Sequence, residues 1–429
     1  MNAMSIALKQ RPSDTSASAA SRGGAGGAMS ARVQIPRMMR AEPASIARWM
    51  GRKYQVSAII RSCMDGSCGR IGCSMAPTPS SAVPTSRAIE SGRMSGCTTF
   101  SRMHDGLEPS TYAEASVPAT RASTEMSPQT ETLASSIADN DMRGRVCLVT
   151  GASRGLGKAT ALGLARLGAT VVLLARDERL LSAARDDVAA SSGNPHVSSI
   201  VADLASFDDI RVAAQELRAR HEALHVLIHN AGVNPTKRKL SADGIELTLA
   251  VNHLAPFLLT HELLPALRRG GHDHGARVVT VASMFERFGR IAFHDVQGAR
   301  RWIGPLAYTQ SKLANVLFTF ELAERLAGTG ITANCVDPGL VATDLMREHV
   351  LFRPRWLKAV WGRVLASPTA GARAAVHAAS APEIATVTGK CFDRYGREVR
   401  TSRQSRDPAT RERLWTLSEQ LTGATFTAT

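Results

Sequence analysis

The sequence has few aromatic residues, few cysteines and no long apolar run. Aromatic side chains make up 5% of the 429 residues, and seven cysteines are too few to support a disulfide framework in so long a chain. No stretch approaches the ~18 apolar residues that a membrane-spanning helix needs. A disulfide-stapled scaffold and a helical integral membrane protein are therefore excluded, and we expect a protein that is soluble or at most peripheral.

The sequence also has no block of like charge and no convincing metal-binding pattern. Lysine and arginine number 52 against 37 acidic residues, but the surplus is dispersed, so we expect a basic enzyme without a nucleic-acid partner. Cys63, Cys68 and Cys73 are spaced more widely than a zinc pair and have no histidine beside them. We expect His272 and His274 in a solvated loop between a helix and a strand. The prediction is no bound metal.

Composition changes sharply near residue 140. Residues 1–140 are rich in Gly, Ser, Ala, Pro and Thr and keep neither helical nor strand periodicity, which predicts a low-complexity, disordered extension. Three interpretations stay open: a cleaved organellar leader, because the first sixty residues are rich in Arg and Ser, a regulatory tail, or a segment outside the mature protein. We favour the last, with translation beginning at Met126 or Met142.

From Arg143 onward, short apolar runs alternate with helical patterns. This alternation predicts an α/β fold, a Rossmann-type doubly wound parallel sheet forming a single domain over residues 141–425. In such a sheet, ligands bind at the carboxyl ends of the strands. Strands are predicted at 146–149, 170–175, 198–201, 226–229, 277–282 and 331–336, and helices at 158–167, 178–190, 207–220, 247–267 and 308–326.

A glycine-rich turn separates the first predicted strand from the first predicted helix. Glycine there permits a tight turn, lets the backbone approach a pyrophosphate and directs helix N–H groups at the anion. Three residues separate the first two glycines, unlike the usual GxGxxG, so an ordinary strand–helix corner is the alternative interpretation. The turn reads Thr150-Gly151-Ala152-Ser153-Arg154-Gly155-Leu156-Gly157.

The end of the second predicted strand bears on which dinucleotide binds. NAD sites often carry an acid there for the ribose hydroxyls, whereas this sequence has Ala175 followed by Arg176. Arg154 and Arg176 can form guanidinium–phosphate forks on a 2′-phosphate, although both can also be ordinary surface residues. Asp177 is a complication, because it can pair with Arg176 or support NAD(H); we expect it to point outward. The prediction is NADP(H) over NAD(H).

Tyr308 and Lys312 are four residues apart on a predicted helix and therefore share a face. Tyrosine is a poor acid or base at neutral pH, since its unperturbed pKa is about 10. A neighbouring ammonium favours tyrosinate, and an oxidised nicotinamide adds a second positive charge. The pair can therefore move a proton while a hydride moves beside it.

These motifs occur in the order typical of short-chain dehydrogenases/reductases, and residues 143–422 resemble that family. The strings Leu306-Ala307-Tyr308 and Ser311-Lys312-Leu313-Ala314-Asn315 are similar, more narrowly, to its retinol-dehydrogenase-like branch. The resemblance implies cofactor contacts from Asp203 and Leu204, Asn230, Ala231 and Gly232, the Tyr308/Lys312 pair, and Pro338, Gly339 and Thr343, in addition to the glycine-turn residues.

The resemblance also implies roles for two further catalytic residues. Ser283 would hold the substrate oxygen beside Tyr308. Asn252 would bind a water that links Lys312, which also holds the nicotinamide ribose, to solvent. Ala282 stands where many relatives have a second serine, a mild departure that leaves the catalytic position in place.

Two apolar segments bear on the substrate. Phe285, Phe288, Ile291, Phe293 and Trp302 lie between Ser283 and Tyr308, and predict either an apolar wall for a lipophilic substrate or a plug of the core. Residues 345–365 interleave aromatic and basic side chains, which predicts a lid helix or a peripheral membrane contact.

The sequence therefore predicts an NADP(H)-dependent oxidoreductase that interconverts an alcohol and a carbonyl on an apolar small molecule of retinoid, steroid or fatty-aldehyde type. A catalytically idle NADP-binding sensor or interaction protein is the alternative. We expect a cytoplasmic location, with a homodimer, peripheral membrane association and organellar targeting by the N-terminal segment left open.

Overall fold

The computed structural model describes Leu133, Ile137, residues 140–341 and residues 366–426. Seven strands form one sheet in the order β3-β2-β1-β4-β5-β6-β7, and every neighbouring pair is parallel. The predicted α/β, doubly wound parallel sheet is confirmed. The strands are β1 Val146–Thr150, β2 Thr170–Ala175, β3 Val197–Val201, β4 Val226–His229, β5 Ala276–Val281, β6 Ile331–Asp337 and β7 Cys391–Asp393.

Seven α-helices cover the two faces of this sheet within the described residues. They are α1 Gly155–Arg166, α2 Glu178–Ser192, α3 Phe207–Arg220, α4 Ala255–His274, α5 Gly304–Arg325, α6 Pro368–Ser380 and α7 Pro408–Thr422. A helical turn, Leu247–Leu249, and a π-helical segment, Ala250–Leu254, lead directly into α4.

Alternate residues of the same strands supply the two halves of the core. Leu148 of β1 belongs to the core cluster that includes residues of α3, α4, α5 and α7, whereas its neighbours Cys147 and Val149 belong to the cluster that includes residues of α1, α2 and α6. Because successive side chains of a strand point to opposite faces, a strand buried on both sides is apolar throughout. This explains why the strands appear in the sequence as continuous apolar runs.

The region around α4 differs from the prediction in two ways. The predicted uninterrupted helix over 247–267 contains a π-helical turn, and it continues to His274, so the expectation of a loop at His272 and His274 was wrong. Gly270 allows the extension, because a Cβ there would lie 2.2 Å from the carbonyl oxygen of Leu224. The helix ends where Gly275 adopts a φ of 76°.

The edge of the sheet beyond β6 was not predicted. β7 has three residues and pairs with the end of β6, so Asp337 lies beside Asp393 in the register. A strand this short carries too little periodicity to be recognised in a sequence. Helix α7, which follows it, packs on α5.

Packing against the domain includes residues before the first strand. Leu133 is buried, Ile137 packs against the core cluster of α1, α2 and α6, and the Asn140 amide donates to the Ser380 hydroxyl over 2.9 Å. Among the described residues, we find no helix with the length and apolar character needed to cross a membrane.

Candidate active site

A cleft of about 480 Å³ opens at the carboxyl ends of the strands. This volume lies in the range of small-molecule and cofactor sites. Of the predicted site residues, Asn252 is buried and does not line the cleft, and Thr343 lies outside the described residues, as does the predicted lid at 345–365. The others line the cleft: Gly151, Ser153, Arg154, Gly155, Leu156, Gly157, Arg176, Asp203, Leu204, Asn230, Ala231, Gly232, Ser283, Tyr308, Lys312, Pro338 and Gly339.

The glycine turn is a backbone cradle that side chains would fill. Gly151 and Gly155 have φ values of 65° and 56°, in the left-handed region that favours glycine. A Cβ on Gly157 would lie 2.4 Å from the Gly151 carbonyl oxygen and 2.4 Å from Asn230 Nδ2. The first turn of α1 can therefore lie directly against a bound group, with its N–H groups at the cleft.

Asn230, directly after β4, connects the glycine turn to the end of β4 through hydrogen bonds. Its amide nitrogen Nδ2 donates to the Thr150 carbonyl over 2.8 Å, and its backbone N–H donates to the Thr150 hydroxyl over 3.0 Å. The other amide atom, Oδ1, is buried and has no hydrogen-bond partner in the part of the chain that the structure describes. An orphaned acceptor at the cleft wall fits a donor from a bound dinucleotide, such as a ribose hydroxyl.

Two arginines line the cleft, one from the glycine turn and one directly after β2. Arg154 precedes α1 and Arg176 follows Ala175; both are exposed and line the cleft. Asp177 is exposed as well, but its Oδ1 accepts the Leu180 N–H over 2.9 Å and caps α2. The carboxylate that complicated the cofactor prediction is therefore engaged with a helix N-terminus.

The proton-transfer residues meet at the opposite end of the cleft. Tyr308, in the first turns of α5, and Ser283, just after β5, both line the cleft, and a side-chain interaction with Ser283 lowers the pKa of Tyr308. Lys312 is buried, and its Nζ donates to the Val281 carbonyl over 3.0 Å and lies 5.7 Å from the centroid of the Tyr308 ring. Helix α5 thus presents Tyr308 and Lys312 side by side to the carboxyl end of β5.

The pKa of Tyr308 differs from the sequence-based expectation. Burial, and secondarily the negative charge of Asp337, raise the pKa of Tyr308 above its usual value, while the Ser283 hydrogen bond opposes them. Burial lowers the pKa of Lys312 to about 8, against the opposing charge of Asp337. Burial thus opposes the help that the neighbouring ammonium gives to tyrosinate, and the predicted stabilisation of tyrosinate by Lys312 stays a prediction.

Asn252 lies on the π-helical segment and is fully buried. Its Nδ2 donates to the Val233 carbonyl and to the Ser311 hydroxyl, both over 3.0 Å, and its Oδ1 accepts the Val233 N–H over 2.7 Å. The side chain thus joins the loop after β4 to α5. The predicted water link from Asn252 to Lys312 stays a prediction; a Cβ on Gly232 would lie 3.5 Å from Asn252 Oδ1 and 3.8 Å from Lys312 Nζ.

The apolar segment after Ser283 contains residues that fit each of the two interpretations, an apolar wall for the substrate and a plug of the core. Phe285 lines the cleft, with its ring 6.2 Å from that of Tyr308. Ile291 is buried among side chains of α5, and Trp302 Nε1 donates to Glu246 over 3.1 Å. Phe285 therefore contributes to the wall, whereas Ile291 and Trp302 hold the segment against the rest of the domain.

Several residues of the site were not predicted from the sequence. Asp337, at the end of β6, acts on both Tyr308 and Lys312, and its position directly before Pro338 and Gly339 was the available signal. Further wall residues come from the loop after β4, Val233, Asn234 and Pro235, which has no composition that marks it.

A doubly wound sheet with a glycine cradle and a Tyr/Lys/Ser group in one carboxyl-end cleft defines the class of a dinucleotide-dependent oxidoreductase. The family model for short chain dehydrogenase matches residues 145–352. The chain belongs to the short-chain dehydrogenase family, which uses NAD(H) or NADP(H), and is an oxidoreductase acting on CH–OH groups.

Comparison with named relatives identifies a branch within this family. Retinol dehydrogenase 12 of Mus musculus is 40% identical over 280 residues, covering 65% of this chain and 87% of that protein. Retinol dehydrogenase 11 of Homo sapiens is 38% identical over 280 residues, covering 65% and 86%. The predicted retinol-dehydrogenase-like branch is confirmed.

A solved structure shares the fold. The crystal structure of an uncharacterized protein from Mycobacterium paratuberculosis is 35% identical, with a TM-score of 0.55, and the match covers 68% of this chain and 98% of that one. The similarity therefore spans nearly the whole of that protein.

Proposed function

We propose that this protein is an NADP(H)-dependent dehydrogenase/reductase that interconverts an alcohol and a carbonyl on an apolar small molecule, with Tyr308 as the acid/base. The observation that carries the proposal is the convergence of a glycine cradle, two exposed arginines and the Tyr308–Ser283–Lys312 group on one cleft. Each feature alone has an ordinary structural explanation, whereas together they supply a cofactor site and a proton donor.

The residues of the cofactor end fit NADP(H). The glycine cradle and the first turn of α1 would hold the pyrophosphate, and the orphaned Asn230 Oδ1 would accept a hydrogen bond from the cofactor. Arg154 and Arg176 would bind a 2′-phosphate through charge-assisted hydrogen bonds. Ala175 offers no carboxylate for an unphosphorylated ribose, and Asp177 caps α2 instead.

When bound, NADPH would supply a hydride to the carbonyl carbon and would leave as NADP⁺. Tyr308 donates its phenolic proton to the carbonyl oxygen, so the C=O bond becomes CH–OH and tyrosinate is left. The Ser283 hydroxyl, which neighbours the Tyr308 hydroxyl, would hydrogen-bond the same oxygen and hold it beside the donor. In the reverse direction, tyrosinate removes the alcohol proton.

Lys312 and Asn252 support this proton transfer. With a pKa of about 8, Lys312 is mostly an ammonium at neutral pH, and its position beside the Tyr308 ring stabilises the tyrosinate that forms. The Asn252 amide bonds Ser311, whose hydroxyl donates to the Tyr308 carbonyl over 2.8 Å. This chain of bonds fixes the start of α5 relative to the loop after β4.

An apolar substrate is supported by two observations. Phe285 stands beside Tyr308 on the cleft wall, where an apolar ring favours an apolar substrate over a charged one. The relatives named above are retinol dehydrogenases. Retinoid-, steroid- or fatty-aldehyde-like compounds are therefore the class to test.

The test is turnover of a panel of apolar aldehydes, ketones and alcohols with NADPH and NADH, beside a panel of charged carbonyl compounds. We expect turnover with apolar compounds and a higher kcat/KM for NADPH than for NADH. Tight NADPH binding without turnover of any compound would favour an idle sensor. A higher kcat/KM with NADH would contradict the cofactor assignment.

A further inference from the structure

Asp337 is a buried carboxylate at the end of β6, on the catalytic side of the cleft. It is 8% exposed and directly precedes Pro338 and Gly339, which line the cleft. Its Oδ1 accepts the Gly339 N–H over 3.0 Å, and Gly339 has a φ of 76°. The carboxylate therefore holds the turn that carries the chain from β6 along the cleft wall.

The sheet brings this carboxylate close to the proton-transfer group. Lys312 Nζ donates to the Val281 carbonyl over 3.0 Å, and Val281 is the register partner of Val336, the residue before Asp337. The negative charge of Asp337 raises the pKa of Tyr308 and that of Lys312. One carboxylate thus acts on both members of the pair.

Other titratable groups surround this carboxylate. Glu286 is buried on the 3₁₀ turn after β5, and burial raises its pKa. Cys335 of β6 and Cys391 of β7 are buried neighbours, and their contact and burial raise the pKa of Cys391, which is therefore neutral near pH 7. Arg287 lies 3.8 Å from Glu286, and Asp393 is the register partner of Asp337.

We propose that Asp337 is a positioning residue that sets the pH range of the reaction, by holding Tyr308 as the phenol and Lys312 as the ammonium beside the cleft. The inference rests on the proposed function, since it assigns a regulator to the same proton transfer. It predicts that carbonyl reduction persists to a higher pH than it would without this charge.

The direction of the pH shift depends on which protonation state of Tyr308 reduction and oxidation each need. Reduction needs the phenol, so its rate falls as pH rises through the apparent pKa of the Tyr308/Lys312 pair. Oxidation needs tyrosinate, so its rate rises through the same value. Removing the Asp337 charge lowers both pKa values, and both profiles move to lower pH, by on the order of one pH unit for the loss of one nearby charge.

Asp337→Asn is the variant to use, because the amide keeps an oxygen to accept the Gly339 N–H while it removes the charge. Asp337→Ser, which also offers an acceptor, is the second variant if the first does not fold. Asp393→Asn is the matched control: Asp393 lies beside Asp337 in the register, and its Oδ1 accepts the Tyr395 N–H over 2.8 Å. The measurement is the pH profile of kcat/KM for NADPH-dependent reduction of an apolar aldehyde.

A second readout needs no turnover. The chain has four tyrosines, so the tyrosinate absorbance of the cofactor-free protein can be titrated and the Tyr308→Phe curve subtracted. We expect the Tyr308 component to titrate at lower pH in Asp337→Asn than in wild type and to be unchanged in Asp393→Asn. A merely structural role would change stability and leave this titration in place.

The outcomes separate the inference from the proposed function. A downward shift of both the kinetic profile and the tyrosinate titration in Asp337→Asn, absent in Asp393→Asn, supports the inference. Wild-type turnover with the same profile in Asp337→Asn overturns the inference and leaves the proposed function intact. If wild type shows no turnover, the proposed function fails, whereas an unshifted Tyr308 titration in Asp337→Asn overturns the inference on its own.

Discussion

The two ends of the cleft differ in the atoms that form them: mainly backbone at the cofactor end, and buried polar side chains at the catalytic end. The cofactor end, around β1, α1 and the end of β2, is a backbone surface in which a side chain on Gly157 would collide, with exposed arginines at its edge. The catalytic end, around β5, α5 and β6, consists of buried polar side chains: Asn252, Lys312 and Asp337 are 0%, 4% and 8% exposed.

This difference predicts which property a substitution changes at each end of the cleft. At the cofactor end, shape and exposed charge hold a ligand, so substitutions change affinity. At the catalytic end, burial and nearby charges set protonation states, so substitutions change the rate and its pH dependence. Four experiments, ordered from the largest expected effect, sharpen or break this comparison.

Tyr308→Phe removes the proton donor and keeps the ring. We expect kcat to fall by about 10²–10⁴, the usual contribution of a positioned acid or base, while NADPH affinity stays unchanged. Steady-state kinetics and a binding titration measure both. Tyr395→Phe is the matched control; Tyr395 packs under Arg394 and is not a wall residue of the cleft. Loss of NADPH binding in Tyr308→Phe would show that the two ends are not separable.

Gly157→Ala places a methyl group 2.4 Å from the Gly151 carbonyl oxygen. The turn must shift, which costs ~1–3 kcal/mol of stability for an overpacked site and weakens NADPH and NADH alike. Isothermal titration and thermal unfolding measure the two effects. In the control, Gly193→Ala, nothing lies within 4 Å and only the φ of 68° is unfavourable, costing ~1–2 kcal/mol. Equal nucleotide binding by both variants would show that the glycine turn does not hold the cofactor.

Arg176→Asp tests the exposed charge at the cofactor end. Loss of charge-assisted hydrogen bonds to a phosphate costs ~1.5–3 kcal/mol each, so NADPH should bind about 10–100-fold more weakly, with a smaller change for NADH. Parallel titrations of both nucleotides measure this. Arg179→Asp, an exposed residue of α2 that does not line the cleft, is the control. The same loss for NADPH and NADH would contradict the phosphate assignment.

Removal of residues 1–125 should have the smallest effect. Both ends of the cleft are formed by residues after 150, and the truncated chain keeps Leu133 and Ile137, which pack on the domain. We expect Tm and kcat to match the full chain within error, measured by thermal unfolding and steady-state kinetics. A fall of several degrees in Tm would mean that this segment stabilises the domain, contrary to the predicted domain organisation.

The cofactor end and the catalytic end also differ in how much of each can be predicted from the sequence. The glycine turn, the Ala175–Arg176 pair and the Tyr308/Lys312 spacing are local patterns, and the structure brings them to one cleft. The π-helical turn that presents Asn252 has no local signal, because its residues also suit an α-helix. The effect of Asp337 depends on β5, β6 and α5 meeting in space, and the pKa of Tyr308 depends on burial, which no spacing in the sequence encodes.

The most direct test of hydride transfer assisted by Tyr308 is transfer of the label from NADPH carrying deuterium at its hydride position to an apolar aldehyde, followed by mass spectrometry of the product. We expect one deuterium on the carbinol carbon with wild type and almost none over the same time with Tyr308→Phe, although that variant still binds the cofactor. An unlabelled alcohol product, or equal labelling by both proteins, would contradict hydride transfer assisted by Tyr308.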